Sequence, residues 1–161
     1  CPMADEITHI ARYKQPKNFS GIHYGNITPT DIDGFIDFGN KAFVVIEFKL
    51  IDREIELGQR LAIERLVDNL QDARKASIGV IAEHDTQPEE TIQAAECLVT
   101  AIRHNFAWTP YPKKQFTLRY IIDYFLQKND LEYPHASIPA TTENLSDEEL
   151  DRIIKEIDKL S

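Results

Sequence analysis

The 161-residue sequence has few cysteines, no long apolar run and fewer basic than acidic residues. Its two cysteines, Cys1 and Cys97, are too few for a disulfide framework or a zinc cluster, so a reducing interior is expected. No apolar run approaches the roughly 20 residues that a membrane-spanning helix needs. The N-terminus also lacks the basic-then-apolar pattern of a signal peptide. We therefore expect a cytoplasmic protein with no membrane partner.

The deficit of positive charge bears on function. The chain has 27 acidic and 18 basic residues, a net charge of −9. That sign is unfavourable for a protein whose affinity for DNA comes from neutralising phosphates. Part of the excess negative charge lies at the C-terminal end of the sequence, because residues 143–161 contain seven acids and three bases.

Length and a hydrophobic content of 42% predict one domain with a conventional core over residues 1–130. A linker at 131–145 and an acidic amphipathic helix at 146–161 are predicted to follow. The apolar face of that last helix could pack on its own domain or on another chain, as in a homodimer. Apolar periodicity predicts further helices at 4–13, 57–75 and 117–128, a strand at 77–82 and a hairpin within 97–111. The hairpin is favoured over one long helix.

The most informative segments are 30–38 and 43–50, two apolar, strand-like runs that contain charges. Side chains alternate between the faces of a strand, so Asp31 and Asp33 share one face of the first run. Glu47 and Lys49 share one face of the second run. Burying isolated charges is costly without a partner, and a divalent cation between the acids would supply one.

Residues 39–41 between these runs predict a tight hairpin, because Gly39 and Asn40 tolerate positive φ. A three-residue loop pairs Phe38 with Ala42 and sets Asp33 opposite Glu47. Directly opposed Cβ atoms are about 4.5–5.5 Å apart, so the two carboxylates would repel each other without a cation. A two-residue loop would shift the register by one residue and separate the pair.

An ordinary cross-strand ion pair is the alternative interpretation. In the same register Asp31 lies opposite Lys49, and Asp33 would then be solvated. One observation favours the metal site: of the ten lysines in the chain, only Lys49 has an acidic residue two positions before it.

These residues resemble the PD-(D/E)XK nuclease superfamily. Ile32-Asp33, a strand and turn, and then Val45-Ile46-Glu47-Phe48-Lys49 are similar to its motifs, close to RecB-type and VRR-type domains and to phage relatives of restriction endonucleases and Holliday-junction resolvases. The resemblance covers residues 28–84, about a third of the chain. It implies an α/β fold with a restriction-endonuclease-like core, a mixed central β-sheet flanked by helices.

By this resemblance Asp33 and Glu47 are the metal-binding acids and Lys49 is the catalytic lysine. Pro29 lies two residues before Asp31 and four before Asp33, so Asp31 stays a second candidate for the first metal ligand. The carbonyl of Phe48 is the expected backbone ligand, and the expected cofactor is Mg²⁺ or Mn²⁺.

Three further residues are candidates for the site. Gln59 heads the apolar stripe of the helix at 57–75, and related nucleases often have a glutamine there; the alternative is a solvent-facing residue. His84 ends the strand at 77–82 and is either a site residue or a loop residue. Glu6 lies on the predicted N-terminal helix; the nucleases that this sequence resembles often have an acid on such a helix that approaches the metal.

DNA is the expected partner, and a metal-dependent deoxyribonuclease, an endonuclease in preference, is the expected activity. Four lysines near aromatic residues are candidate nucleic-acid contacts: Lys14, Lys17, Lys113 and Lys114. RNA cleavage is not distinguished from DNA cleavage by these residues. The alternative is a catalytically silent nuclease fold that acts as a protein-binding or DNA-mimicking module, which the acidic composition suits.

Overall fold

The computed structural model describes residues 16–133. The chain divides into two compact units, Cys1–Asp31 and Ile32–Ser161. Residues 16–31 of the first unit form turns and one isolated β-bridge between Tyr24 and Ile27. The predicted helices at 4–13 and 146–161, and most of the linker at 131–145, lie outside the described residues.

A five-stranded mixed sheet forms the centre of the second unit. Its strands follow one another in chain order: β1 Gly34–Phe38, β2 Ala42–Leu50, β3 Ala76–His84, β4 Leu98–His104 and β5 Ala107–Pro110. β2 and β3 are parallel, and the other neighbouring strands are antiparallel.

Two α-helices connect and cover these strands. Helix α1, Leu57–Asp72, joins β2 to β3, since two parallel strands require a crossover connection. Helix α2, Leu118–Lys128, follows β5 and begins at the N-cap Thr117, whose hydroxyl accepts a hydrogen bond from the Tyr120 N–H at 3.2 Å. A short 3₁₀ turn at Ala94–Glu96 precedes β4. Within residues 16–133, no helix has the length and apolarity that crossing a bilayer demands.

The helices pack on opposite faces of the sheet because side chains alternate along each strand. Val44 and Ile46 of β2 belong to the larger core cluster, which includes Ile121 and Phe125 of α2. Val45, between them, belongs to the smaller cluster with residues of α1. The two parallel strands, β2 and β3, are therefore buried on both faces over most of their length, as parallel strands generally are.

Close packing of α1 depends on Gly79 in β3. A Cβ atom added to Gly79 would lie 2.6 Å from Cγ2 of Ile63 and 3.3 Å from Cγ2 of Val67. Next to this contact, the buried Ser77 hydroxyl donates a hydrogen bond to the Val67 carbonyl at 3.0 Å. The helix axis is thus held against β3.

The predicted α/β class with a mixed, helix-flanked sheet is confirmed, as are the hairpins and the helices at 57–75 and 117–128 within a few residues at their ends. The strand predicted at 77–82 runs longer, from Ala76 to His84. Those extra residues matter, because they extend β3 beside the charged end of β2.

Candidate active site

The β1–β2 hairpin has the predicted three-residue loop. Gly39 and Asn40 both have φ of 61°, and Phe38 pairs with Ala42. The pairing continues to Gly34, which lies opposite Ile46. The register therefore brings the residue just before β1, Asp33, to the position beside Glu47.

Asp33 and Glu47 meet at this end of the hairpin, in different environments. The carboxylate of Asp33 is on an exposed residue and accepts a hydrogen bond from the Phe48 N–H at 2.8 Å. Glu47 lies within β2 and is only 2% exposed. A buried carboxylate needs partners to offset its lost hydration, so the groups around Glu47 decide what it can do.

Lys49 is the partner of Glu47. Its Nζ lies 2.9 Å from Oε1 of Glu47 and donates a hydrogen bond to Oε1 of Gln59 at 2.7 Å. Gln59 is the third residue of α1, so its side chain reaches the sheet from the start of the helix. The side chain of Gln59 thus contacts Lys49, as the prediction that it points at the sheet requires, and its role in a site stays a prediction.

The electrostatics of the cluster favour a cation. Burial raises the pKa of Glu47 above its ordinary value, the hydrogen bond from Lys49 lowers it, and the negative charge of Asp33 raises it again. The net direction is upward. When ionised, two carboxylates face one ammonium group, and a divalent ion would reverse this local excess of negative charge.

The donor set for a metal is small. Among the described residues, no group of three or more His, Cys, Asp or Glu side chains is arranged to hold a metal ion. Asp33 and Glu47 supply two oxygen-bearing side chains, and the Phe48 carbonyl stays a predicted third ligand. This set fits Mg²⁺, which is typically bound by one or two carboxylates and keeps several of its waters.

A second charged group near this edge was not predicted. Glu83 of β3 is only 8% exposed and lies in register beside Lys49, so both side chains leave the same face of the sheet. Its Oε1 is 2.7 Å from Nζ of Lys114, which is also 3.9 Å from Oδ1 of Asp52. Side-chain alternation predicts which face of its own strand Glu83 occupies, but not which residue of the neighbouring strand lies beside it. Only the parallel register of β2 and β3 places Glu83 next to Lys49.

This pairing changes the interpretation of Lys114. Its hydrogen bond with Glu83 and the nearby charges of Glu83 and Asp52 raise its pKa. An ammonium beside two carboxylates is a weak phosphate contact, because its charge is already balanced. Lys113 and Lys17 are exposed, and no hydrogen bond or ion pair involves their side chains within residues 16–133.

Other predicted residues lie apart from the cluster or outside the described chain. Asp31 is exposed and precedes the β1–β2 ladder, which begins at Gly34, so its predicted pairing with Lys49 is not part of that ladder. His84 is in register with Leu50, on the face opposite Lys49, and its Nδ1 lies 2.6 Å from the Thr86 hydroxyl. Glu6 and Lys14 fall outside residues 16–133.

Comparison of the chain with family models, curated proteins and solved structures finds no match. Functional assignment therefore depends on the geometry of this site.

Proposed function

We propose that the protein is a metal-dependent nuclease that hydrolyses DNA phosphodiester bonds and has the restriction-endonuclease-like core of the PD-(D/E)XK superfamily. The observation that carries the proposal is the cluster of Asp33, Glu47, Lys49 and Gln59 at one end of β2. The order of strand, strand, helix and strand around it agrees with such a core.

Asp33 and Glu47 would hold Mg²⁺ or Mn²⁺, together with the Phe48 carbonyl. When bound, the ion would lower the pKa of a coordinated water and neutralise charge on the scissile phosphate. The position of Glu47 supports this role: a carboxylate with 2% exposure has little competing hydration and a side chain held by its surroundings.

Lys49 would orient the attacking water and stabilise negative charge that grows in the transition state. Gln59 would keep the ammonium in place, since its Oε1 already accepts a hydrogen bond from Lys49 at 2.7 Å. Only donors fixed before the reaction avoid the energetic cost of reorganising during it. The four side chains would thus divide the work into ion binding, charge stabilisation and positioning.

The test is a cleavage panel of supercoiled, linear, single-stranded and branched DNA with Mg²⁺ or Mn²⁺, including one RNA substrate. Wild type should cleave at least one DNA form, and Lys49→Ala should lose that activity while still binding the substrate. Arg65→Ala is the matched control: it removes one positive charge from an exposed position of α1. Absence of metal-dependent cleavage of every substrate by wild type would refute the proposal.

A catalytically silent binding module is the second candidate, and the net charge of −9 favours it. Such a module has no need of the ion. Thermal unfolding with and without Mn²⁺ distinguishes the two, because only a protein that binds the ion in its folded state is stabilised by it.

A further inference from the structure

A groove of about 560 Å³ lies at the other end of the sheet, where β2 and β3 begin. Three of its lining residues are basic: Lys41, Arg74 and Lys75. Asn105 and Asn129 add amide side chains to the lining. None of the described residues that line this basic groove is acidic.

The three cations of the basic groove form no ion pair among the described residues, whereas several cations elsewhere in the fold do. Five described cations form ion pairs with acids: Lys49, Arg60, Arg103, Lys114 and Arg119. Lys41, Arg74 and Lys75 form none within residues 16–133. The only polar contact of their side chains there is the hydrogen bond from Lys75 Nζ to the Asn40 carbonyl at 2.9 Å.

The convergence of three unbalanced charges is unexpected in a chain with nine more negative than positive charges. The C-terminal ends of α1 and α2 adjoin the groove and each contribute about half an elementary negative charge. The lining of the groove and the two helix ends together therefore carry about +2 by that estimate. A site of this kind attracts an anion with several oxygen acceptors.

The backbone at Arg74 is a second observation. Arg74 follows the C-cap of α1 with φ of 60°, and the N–H groups of Arg74 and Lys75 donate to the carbonyls of Gln71 and Leu70. This helix ending normally has glycine at the position with positive φ. An arginine there is conformationally unfavourable, and this backbone conformation holds Arg74 at the edge of the groove.

We propose that the basic groove binds phosphate groups of a nucleic-acid strand, at a site separate from the catalytic cluster. Ala76 and Glu83 are seven residues apart along β3, so the two ends of the sheet are separated by roughly 23 Å at the rise of a strand. The groove therefore contacts a part of the nucleic acid that is distant from the bond to be cleaved. The proposal rests on the proposed function only for the choice of nucleic acid as the phosphate source.

The test is binding of labelled single-stranded and duplex oligonucleotides, measured by fluorescence anisotropy in EDTA over a range of salt concentrations. Each phosphate contact contributes about 0.7 to the slope of log K against log salt for a single strand and about 0.9 for a duplex. Lys41→Gln/Arg74→Gly should therefore reduce the slope by about 1.4 or 1.8. Arg65→Gln, an exposed charge on the outer part of α1, should leave the slope of wild type unchanged.

The variants should fold, because glycine suits the backbone at Arg74 and Lys41 is exposed; thermal unfolding checks this. A slope that is unchanged in the double variant overturns the proposal, as does a wild type that binds no oligonucleotide. Stabilisation by inorganic phosphate without any effect of the double variant on oligonucleotide binding also overturns it. EDTA prevents metal-dependent cleavage, so this assay measures binding alone. A protein that never cleaves DNA can still pass it, and failure of the groove proposal is thereby distinguished from failure of the proposed nuclease function.

Discussion

Glu47→Gln should abolish stabilisation by Mg²⁺ or Mn²⁺ and make the metal-free protein more stable at neutral pH. In wild type, an ion at ten times its dissociation constant should raise the free energy of unfolding by about 1.4 kcal/mol. For a chain of this size that corresponds to a rise in Tm of roughly 3–6 °C. Glutamine keeps the shape of Glu47 but removes the charge that would hold the ion in the proposed site, so the rise should disappear.

The higher stability expected of Glu47→Gln without metal follows from the pKa of Glu47, which burial raises above its ordinary value. The folded state then binds a proton more tightly than the unfolded chain does, so the carboxylate favours folding most at low pH. This contribution is lost as the pH rises through the folded-state pKa. The advantage of Glu47→Gln in EDTA should therefore be largest at neutral pH and shrink as the pH falls.

Thermal unfolding of both proteins, with EDTA or with the ion, measures these effects. Asp72→Asn is the matched control, since it removes one negative charge from an exposed position at the end of α1. It should retain the full stabilisation by the ion. Equal stabilisation of wild type and Glu47→Gln by the ion would refute the assignment of Glu47 as a ligand.

Three further outcomes are expected. Lys49→Ala should lower the single-turnover cleavage rate about 100–1000-fold with little change in DNA affinity, because the role proposed for the lysine is to stabilise charge in the transition state; an equal loss of affinity would contradict this role. Gly79→Ala should lower the free energy of unfolding by about 1–3 kcal/mol in urea titrations, since the new methyl group would lie 2.6 Å from Ile63 Cγ2. Asp68→Asn should cost about 1.5–3 kcal/mol in the same assay, because it weakens the two hydrogen bonds from Arg103 at 2.6 and 3.1 Å. Unchanged urea midpoints in these two variants would count against the described packing of α1.

Local patterns were sufficient to predict the hairpin and the cluster of charged side chains at its end. Gly39 and Asn40 indicated the loop, and alternation along the two strands then placed Asp33 beside Glu47. The helical stripe headed by Gln59 predicted the side chain that binds Lys49. The longest of these contacts, from Asp33 to Phe48, spans fifteen residues, and the one from Lys49 to Gln59 spans ten. Short-range geometry therefore controls them.

Pairing between distant segments could not be predicted in the same way. The parallel register of β2 and β3 places Glu83 beside Lys49, and the loop after β5 brings Lys114 to Glu83. The sequence pattern predicts Lys114 as a DNA contact because neither acid that balances its charge in the fold is close to it in the chain. The basic groove likewise joins Lys41, Arg74 and Asn129, which lie far apart in the chain.

The amino-acid sequence by itself thus determined the elements and the small cluster of charges on one hairpin, because alternation, turn chemistry and helical periodicity act between near neighbours. Only the tertiary structure decided which of the other charges are balanced by partners and which remain unpaired. That outcome depends on how the strands and helices pair across the sheet, and a surface charge carries no local signal of its distant partner.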